Sequence, residues 1–274
     1  MNPLSIPAKL ASHYQRGGFW GVAYLITSRF PGLPLPGKVK WLLGRAHEIE
    51  FWDRYFQTKG LYWKSGFLER FDVERPLDRY VAGVLPLVEG GKLRVLDVGA
   101  GPLTSLSRGG TGREVEILAV DPLAQEYDRI LGKYGFTPPI RTGFAEAENL
   151  LAKFPESTFD LVHARNSIDH SYNPMLAIRQ MLAVTRPAGY VILQNKPNEA
   201  THENWVGLHQ WNFSKEEDCF VIRNKTSATN VNRELAGAAT VETELAENGG
   251  WLVVKMKKLA SRSAGPAAGS AGRP

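Results

Sequence analysis

The sequence predicts an α/β fold: a doubly wound, mostly parallel sheet with an N-terminal helical extension. Three observations predict it. Between residues 93 and about 196 short apolar runs alternate with helical patterns, the first of those runs feeds a glycine-rich turn, and the first ninety residues are aromatic-rich with helical periodicity. Strand, helix, strand at this spacing implies right-handed crossovers within one sheet.

The elements follow in order. In the extension, Gly32-Leu-Pro-Leu-Pro-Gly37 is a non-helical break, because two prolines fix φ and remove N–H donors. Phe51, Tyr55 and Phe56 then form the apolar face of an amphipathic helix. Leu93–Val98 is the first strand, and Leu103–Arg108 reads as a short helix ahead of Gly109-Gly-Thr-Gly112. Val115–Val120 is the second strand, ending in Asp121, with a helix over Ala124–Tyr134. Pro139–Gly143 is a third strand and Phe159–Ala164 a fourth. A helix over Met175–Val184 stops near Pro187, and Tyr190–Gln194 is a fifth strand. A polar, aromatic insertion fills residues 197–218, and Phe220–Arg223 and Trp251–Lys255 are late strands. Residues 261–274 are Ala, Gly, Ser and Pro with two Arg, a tail expected to be disordered. The chain thus divides into a helical lid or dimerisation region (1–90), an α/β domain (91–260) and the tail.

Charge narrows the partners. The 274 residues carry 33 Lys and Arg against 28 Asp and Glu, a net +5. Six of those bases lie before Glu48 and five after Val254, with no acid in either flank; the segment between holds 22 bases and all 28 acids. A basic protein with an acidic centre does not favour a nucleic-acid partner. The basic, aromatic N-terminus suits packing on the core, a homodimer contact, or peripheral contact with an anionic membrane. The single Cys219 excludes an intrachain disulfide and a thiolate metal cage, and no run approaches about 18 apolar residues. These features, with no signal-peptide pattern at the start, predict a cytoplasmic protein.

The most informative segment is Val95-Leu-Asp-Val-Gly-Ala-Gly-Pro-Leu-Thr104. Gly99 and Gly101 let the backbone turn tightly against a ligand. A dinucleotide reading, G-x-G-x-x-G, fails because Thr104 stands at the third glycine. Asp97 places an acid at the strand end, which favours a ligand with a cationic portion. Asp121, ending the next strand, suits the two hydroxyls of a ribose. Together these features suit S-adenosylmethionine.

On Leu96-Asp-Val-Gly-Ala-Gly101, Ala119-Val-Asp121, Ala145-Glu146, Phe159-Asp-Leu-Val162 and Arg186-Pro-Ala-Gly-Tyr-Val-Ile-Leu193, the chain resembles the class I S-adenosylmethionine-dependent methyltransferases over roughly residues 80–200. It departs from many members at Leu103, where they carry a third glycine. The resemblance implies a Rossmann-like, seven-stranded sheet. It also implies that Asp97, Gly99, Ala100, Gly101 and Leu103 hold the methionine end. Asp121, with Pro122 and Leu123, would hold the ribose, Ala145 and Glu146 would lie by the adenine, and Arg165 and Asn166 would line the pocket.

Chemistry is expected past the fourth and fifth strands, where Asp169, His170, Asn198, Glu199, His202 and His209 cluster in sequence. Methyl transfer to an alcohol needs proton removal, which a histidine can perform. It is also helped by a cation that lowers the hydroxyl's pKa. The layout resembles that of metal-dependent sugar O-methyltransferases of bacterial glycan and glycosylated-metabolite assembly, with a methylmannose-type oligosaccharide 1-OH as one acceptor. That resemblance implies His170 as base or third ligand. It implies Mg²⁺ on Asp169 and Glu199, with Asn198 standing where those enzymes have a second acid. His209, with Trp211, is a substrate wall or a packed lid. Other readings stay open: Asp169 and His170 as caps of the next helix, a methyltransferase for small amines or nucleic acid, and a cofactor-binding scaffold without transfer. Against base methylation, Ala164-Arg-Asn-Ser167 stands where Asn/Asp-Pro-Pro-aromatic is usual. His163, inside a strand, reads as a buried, satisfied histidine.

Overall fold

The computed structural model describes residues 37–85, 88 and 91–260, with single residues between 11 and 26. The proline break at 32–36, most of the basic N-terminus and the tail lie outside the described residues.

Seven strands form one sheet in the order β3-β2-β1-β4-β5-β10-β9. They are β1 (Leu93–Val98), β2 (Val115–Asp121), β3 (Thr142–Phe144), β4 (Phe159–Arg165), β5 (Thr185–Asn195), β9 (Ala239–Ala246) and β10 (Trp251–Lys258). The first five run parallel, and β10 is antiparallel to both β5 and β9. The doubly wound, mostly parallel, seven-stranded sheet is therefore present. Its strands bury both faces, as parallel strands between helices must. Leu96, Val98, Val162, Val191 and Leu193 pack on one side, while Val95, Leu161 and Ile192 pack on the other.

Three helices precede the sheet among the described residues: α1 (Gly37–Gln57), α2 (Lys64–Glu69) and α3 (Arg79–Val84). Helix α4 (Ala124–Tyr134) joins β2 to β3, and α5 (Pro174–Val184) joins β4 to β5. Phe56, Phe67, Leu131 and Tyr127 lock α1, the α2 segment and α4 into one aromatic-rich cluster. None of the described helices is long and apolar enough to cross a membrane.

The structure departs from the sequence expectation in four places. The third strand, expected over Pro139–Gly143, is Thr142–Phe144, so only Thr142 and Gly143 of the expected run pair in the sheet. Leu103–Arg108 is not helical. Its polar side chains and N–H groups bond elsewhere: Leu106 N–H donates to Thr104 Oγ1, Arg108 N–H to Val73 O, and Ser107 Oγ to Pro76 O. Short hydroxyl side chains that bond the local backbone compete with a helix. Next, Phe220–Arg223 is a strand outside the main sheet. It lies within β7 (Cys219–Arg223), which pairs with β6 (Asn212–Glu216) and β8 (Ala228–Asn230) as an antiparallel meander. The excursion from the main sheet, which starts with the short α6 (Glu199–His202), thus runs past 218 to residue 230. Phe213 and Phe220 are buried against the sheet's core, which fixes the meander in place. Finally, β9 is an edge strand of sequence ATVETELA; with half its side chains in solvent it carries no apolar run to announce it.

Candidate active site

Chain order reverses at β1: the chain steps outward to β2 and β3, then returns to β4 on the other side. Crevices at such a switch are where open α/β sheets bind ligands. A cleft of about 770 Å³ opens there, lined by residues from the β1, β2, β4 and β5 ends and from α1. That volume is in the range for small-molecule and cofactor sites, about 300–1,000 Å³.

Helix α1 roofs the cleft. Trp41, Gly44, Glu48, Trp52 and Tyr55 recur at helical spacing and share one face. Arg45 Nη2 donates to Pro122 O at 3.2 Å, and the rings of Trp41 and Tyr172 meet edge to face at 5.3 Å. Gly44 lies so close to the turn at Gly207 that a Cβ there would fall 2.7 Å from the Gly207 carbonyl oxygen.

The glycine turn forms the floor. Gly99 and Gly101 have φ of +68° and +65°, the left-handed region where a side chain is strained. A Cβ on Gly99 would also sit 2.4 Å from Ser167 Cβ, and one on Gly101 3.0 Å from the Trp52 ring. The two acids differ in what they face. Asp97 is fully buried, and both its oxygens are engaged: His163 Nδ1 lies 2.8 Å from Oδ1, and Thr104 Oγ1 donates to Oδ2. His163 is the buried, satisfied histidine the sequence suggested. Asp121 accepts N–H bonds from Leu123 at 2.8 Å and Gly101 at 3.1 Å. Burial pushes its carboxyl up to about 7, against the pull of those two amides.

Asp97, Gly99, Ala100, Gly101, Asp121, Pro122, Leu123, Arg165 and Asn166 all line the cleft. Three expected cofactor residues do not. Leu103 is buried in the aromatic cluster of α1 and α4. Ala145 is buried with its N–H toward Asp121 O at 3.4 Å, and Glu146 accepts Tyr172 Oη–H at 3.0 Å. Ala147 and Glu148 line that stretch of wall in their place.

The loops after β4 and β5 meet across the cleft. Asn166 Oδ1 accepts the Lys196 N–H at 3.0 Å and ties one loop to the other. His170 Nε2 lies 3.1 Å from His209 Nδ1, with the rings edge to face at 4.4 Å. Asp169 Oδ2 stands 3.6 Å from His170 Nε2, and Glu48 Oε2 stands 3.8 Å from its Nδ1. Burial alone would lower the His170 pKa, but Asp169, Glu48, Glu199 and Asp121 outweigh it and raise the imidazole above its ordinary range. His209 is pulled down to about 2 by burial and by the neighbouring histidines, so it is neutral. One proton between the two rings therefore resides first on His170.

Asp169, His170, Glu199 and His209 each offer a ligand atom, all within 4.8 Å of one another. Asp169 Oδ2 and Glu199 Oε2 are buried with no hydrogen-bond partner. Two orphaned carboxylate oxygens, one from buried Asp169 and one from half-buried Glu199, fit a divalent cation. Asn198 does not join them: it starts α6 with φ +55°, its N–H donating to Phe213 O. The amide that does reach the group is Asn195, whose Nδ2 donates to Asp169 Oδ1 at 2.7 Å.

Sequence reasoning missed Glu48, Trp52 and Arg70, all from the region before the sheet. One local signal was present. Glu48 and Trp52 are four residues apart on one helix face, and Trp52 Nε1 donates to Glu48 Oε1 at 2.7 Å. Nothing local announces Arg70, which ends α2 and lines the cleft.

A family model described as a methyltransferase domain matches residues 68–238. The chain is 28% identical over 133 residues to 27-O-demethylrifamycin SV methyltransferase of Amycolatopsis mediterranei (strain S699), which is 48% of each protein. It thus spans about half the length of that curated relative. Among solved structures, one chain of the complex between the Haloferax volcanii Trm112 methyltransferase activator and a methyltransferase aligns with TM-score 0.46 and 12% identity, over 76% of this chain and 98% of that one. A SAM-dependent methyltransferase of Aquifex aeolicus aligns with TM-score 0.40 and 18% identity, over 71% and 93%.

Proposed function

The chain belongs to the methyltransferase-domain family, and from that premise we propose that it is an S-adenosylmethionine-dependent O-methyltransferase acting on a hydroxyl of an oligosaccharide or glycosylated small molecule. The observation that carries the acceptor chemistry is the His170–His209 pair on the cleft wall. A neutral amine can attack a methyl group unaided, whereas a hydroxyl is a weak nucleophile until its proton has somewhere to go. The relative that methylates a 27-O position of a rifamycin supports oxygen as the acceptor atom.

The residues fit the cofactor. The floor at Gly99 and Gly101 has no room for side chains, and Asp121 presents a buried carboxylate beside it. When bound, S-adenosylmethionine supplies an electrophilic methyl on a sulfonium. Asp121 would accept ribose hydroxyls, and Trp52 and Ser167 would confine the glycine turn. Trp41, Phe51 and Trp63 in the upper wall provide apolar faces of the kind that suit a sugar ring. As the acceptor oxygen gains the methyl, its proton passes to the histidine pair, and Glu48 stabilises the imidazolium that results. Asp169 and Glu199 would hold Mg²⁺, which would lower the acceptor's pKa. Helix α1 acts as the roof, and residues 91–260 as the catalytic domain.

The test is transfer of labelled methyl from S-adenosylmethionine to a panel of glycosides and primary amines, with His170→Ala and His209→Ala alongside. Label in a methyl ether, lost in both variants, is expected. Label in amines alone, or full turnover in both variants, overturns the reading.

A further inference from the structure

Three strand ends meet at one corner of the cleft. Arg165 closes β4, Lys196 follows β5, and Trp251 opens β10. Because β10 runs antiparallel to β5 with Leu252 beside Asn195, the start of one strand lies by the end of the other. The Arg165 guanidinium lies 4.5 Å from the centre of the Trp251 ring and the Lys196 ammonium 4.7 Å, and all three residues line the cleft. Among the described residues neither cationic head makes a hydrogen bond, and Lys196 has no ion pair. Arg165 pairs with Asp78 at 3.8 Å, beyond hydrogen-bond reach. Asp78 is itself occupied, its Oδ1 accepting the Tyr80 and Val81 N–H groups and the Gln194 amide. Glu247, in the smaller recess that Arg165 and Trp251 also line, is taken by Arg79 at 3.1 Å.

An indole face attracts both cations without using their N–H donors. The ring therefore holds two like charges near one another while every donor on them stays free of a protein acceptor. A shared anion offsets that repulsion and meets the donors with charge-assisted hydrogen bonds. Lys196 and Trp251 stand at the β5 and β10 ends, beyond β4 as seen from the glycine turn after β1, so the corner belongs to the part of the cleft farther from that turn. Resting on the hydroxyl-acceptor reading above, we propose that Lys196 and Arg165 seat an anionic group of the acceptor, a carboxylate or phosphate on the sugar whose hydroxyl is methylated. The acceptor class narrows to acidic glycosides. A neutral glycoside would leave both cations uncompensated, so the corner selects as well as binds.

The test is calorimetric titration of the full chain, saturated with S-adenosylhomocysteine and freed of divalent cations by chelator, with methyl glycosides of glucose and mannose. Each sugar is used in three forms: neutral, 6-carboxylate and 6-phosphate. At least one charged form is expected to bind about tenfold more tightly than its neutral parent, and which one it is separates uronates from sugar phosphates. Lys196→Gln and Lys196→Glu should close the gap to within about twofold, and Lys196→Arg should restore it. Affinity for S-adenosylhomocysteine should be unchanged in all three variants, whose exposed side chain leaves folding intact. Equal binding of charged and neutral forms, no binding of any form, a gap that survives Lys196→Glu, or a matching loss of S-adenosylhomocysteine affinity each overturns the anion seat. The labelled-methyl assay above separates this from the reading it rests on. Methyl ethers formed without a binding gap leave the O-methyltransferase standing and the seat wrong. A gap with label only in amines leaves the anion seat standing but overturns the hydroxyl acceptor, and with it the acidic-glycoside assignment.

Discussion

Gly44 in the middle of α1 lies against Gly207 in the excursion after β5: a Cβ on Gly44 would fall 2.7 Å from the Gly207 carbonyl oxygen, and one on Gly207 would press on the His47 side chain at 3.0 Å. Through this contact the roof is joined to the turn that carries His209.

Gly44→Ala should therefore loosen the roof. Alanine in a helix interior gains about 0.5–1 kcal/mol over glycine. Here the new methyl meets a carbonyl that cannot swing away, and overpacking of this kind costs about 1–3 kcal/mol. The clash should win, lowering the melting temperature by several degrees and reducing methyl transfer. A variant as stable and active as the wild type would show that α1 is not held at that turn.

His170→Ala and His209→Ala should each lower kcat by roughly 100- to 10,000-fold, the usual range for a lost general base. The double variant should lose little more than either single one, because residues that pass one proton act as a unit. Affinity for the cofactor, measured by titration, should stay within a few fold.

The pH profile tests the surroundings of that pair. His170 is raised by its carboxylate neighbours, so kcat should rise with pH along a limb centred above the ordinary imidazole value of about 6.5. Glu48→Gln removes one of those charges and should move the limb to lower pH. A limb that stays in place would detach Glu48 from the proton transfer.

Asp121 predicts how the ligand-free protein responds to pH. Its folded pKa of about 7 lies above the unfolded value of 3.8, so folding favours the protonated carboxyl. That contribution is complete below about pH 4 and is lost as pH rises through about 7. Glu199, also pushed up to about 7 by burial and by Asp169, adds to the same slope. Thermal melts between pH 4 and 8 should show the decline, and Asp121→Asn should flatten it.

Mg²⁺ should raise the melting temperature of the wild type by a few degrees at ten times its dissociation constant, where linkage contributes about 1.4 kcal/mol. Asp169→Asn and Glu199→Gln should abolish the rise. A rise that survives in both variants would place the cation elsewhere.

Much of the framework was legible in local patterns. The boundaries of β1, of β2 through Asp121 and of α4 follow from apolar runs, caps and periodicity, each a property of fewer than a dozen consecutive residues. Gly99 and Gly101 announced a turn because only glycine is at ease there. The stretch after Gly101 misled for the opposite reason: Thr104 bonds to Asp97 and to the Leu106 N–H, while Ser107 and Arg108 bond to Pro76 and Val73, some thirty positions earlier.

By itself, then, the sequence determined β1, β2, β4 and the core of β5, the glycine turn and the acids at two strand ends, because these depend on backbone preference and on the spacing of apolar residues. Tertiary structure alone decided how each strand-end acid is engaged, that Asp97 is held by His163, that Glu48 and Arg70 reach the cleft from the region before the sheet, and that His170 meets His209. Those relationships join residues tens of positions apart. Their chemistry comes from burial and from the charges packed around them, and neither exists until the elements have come together.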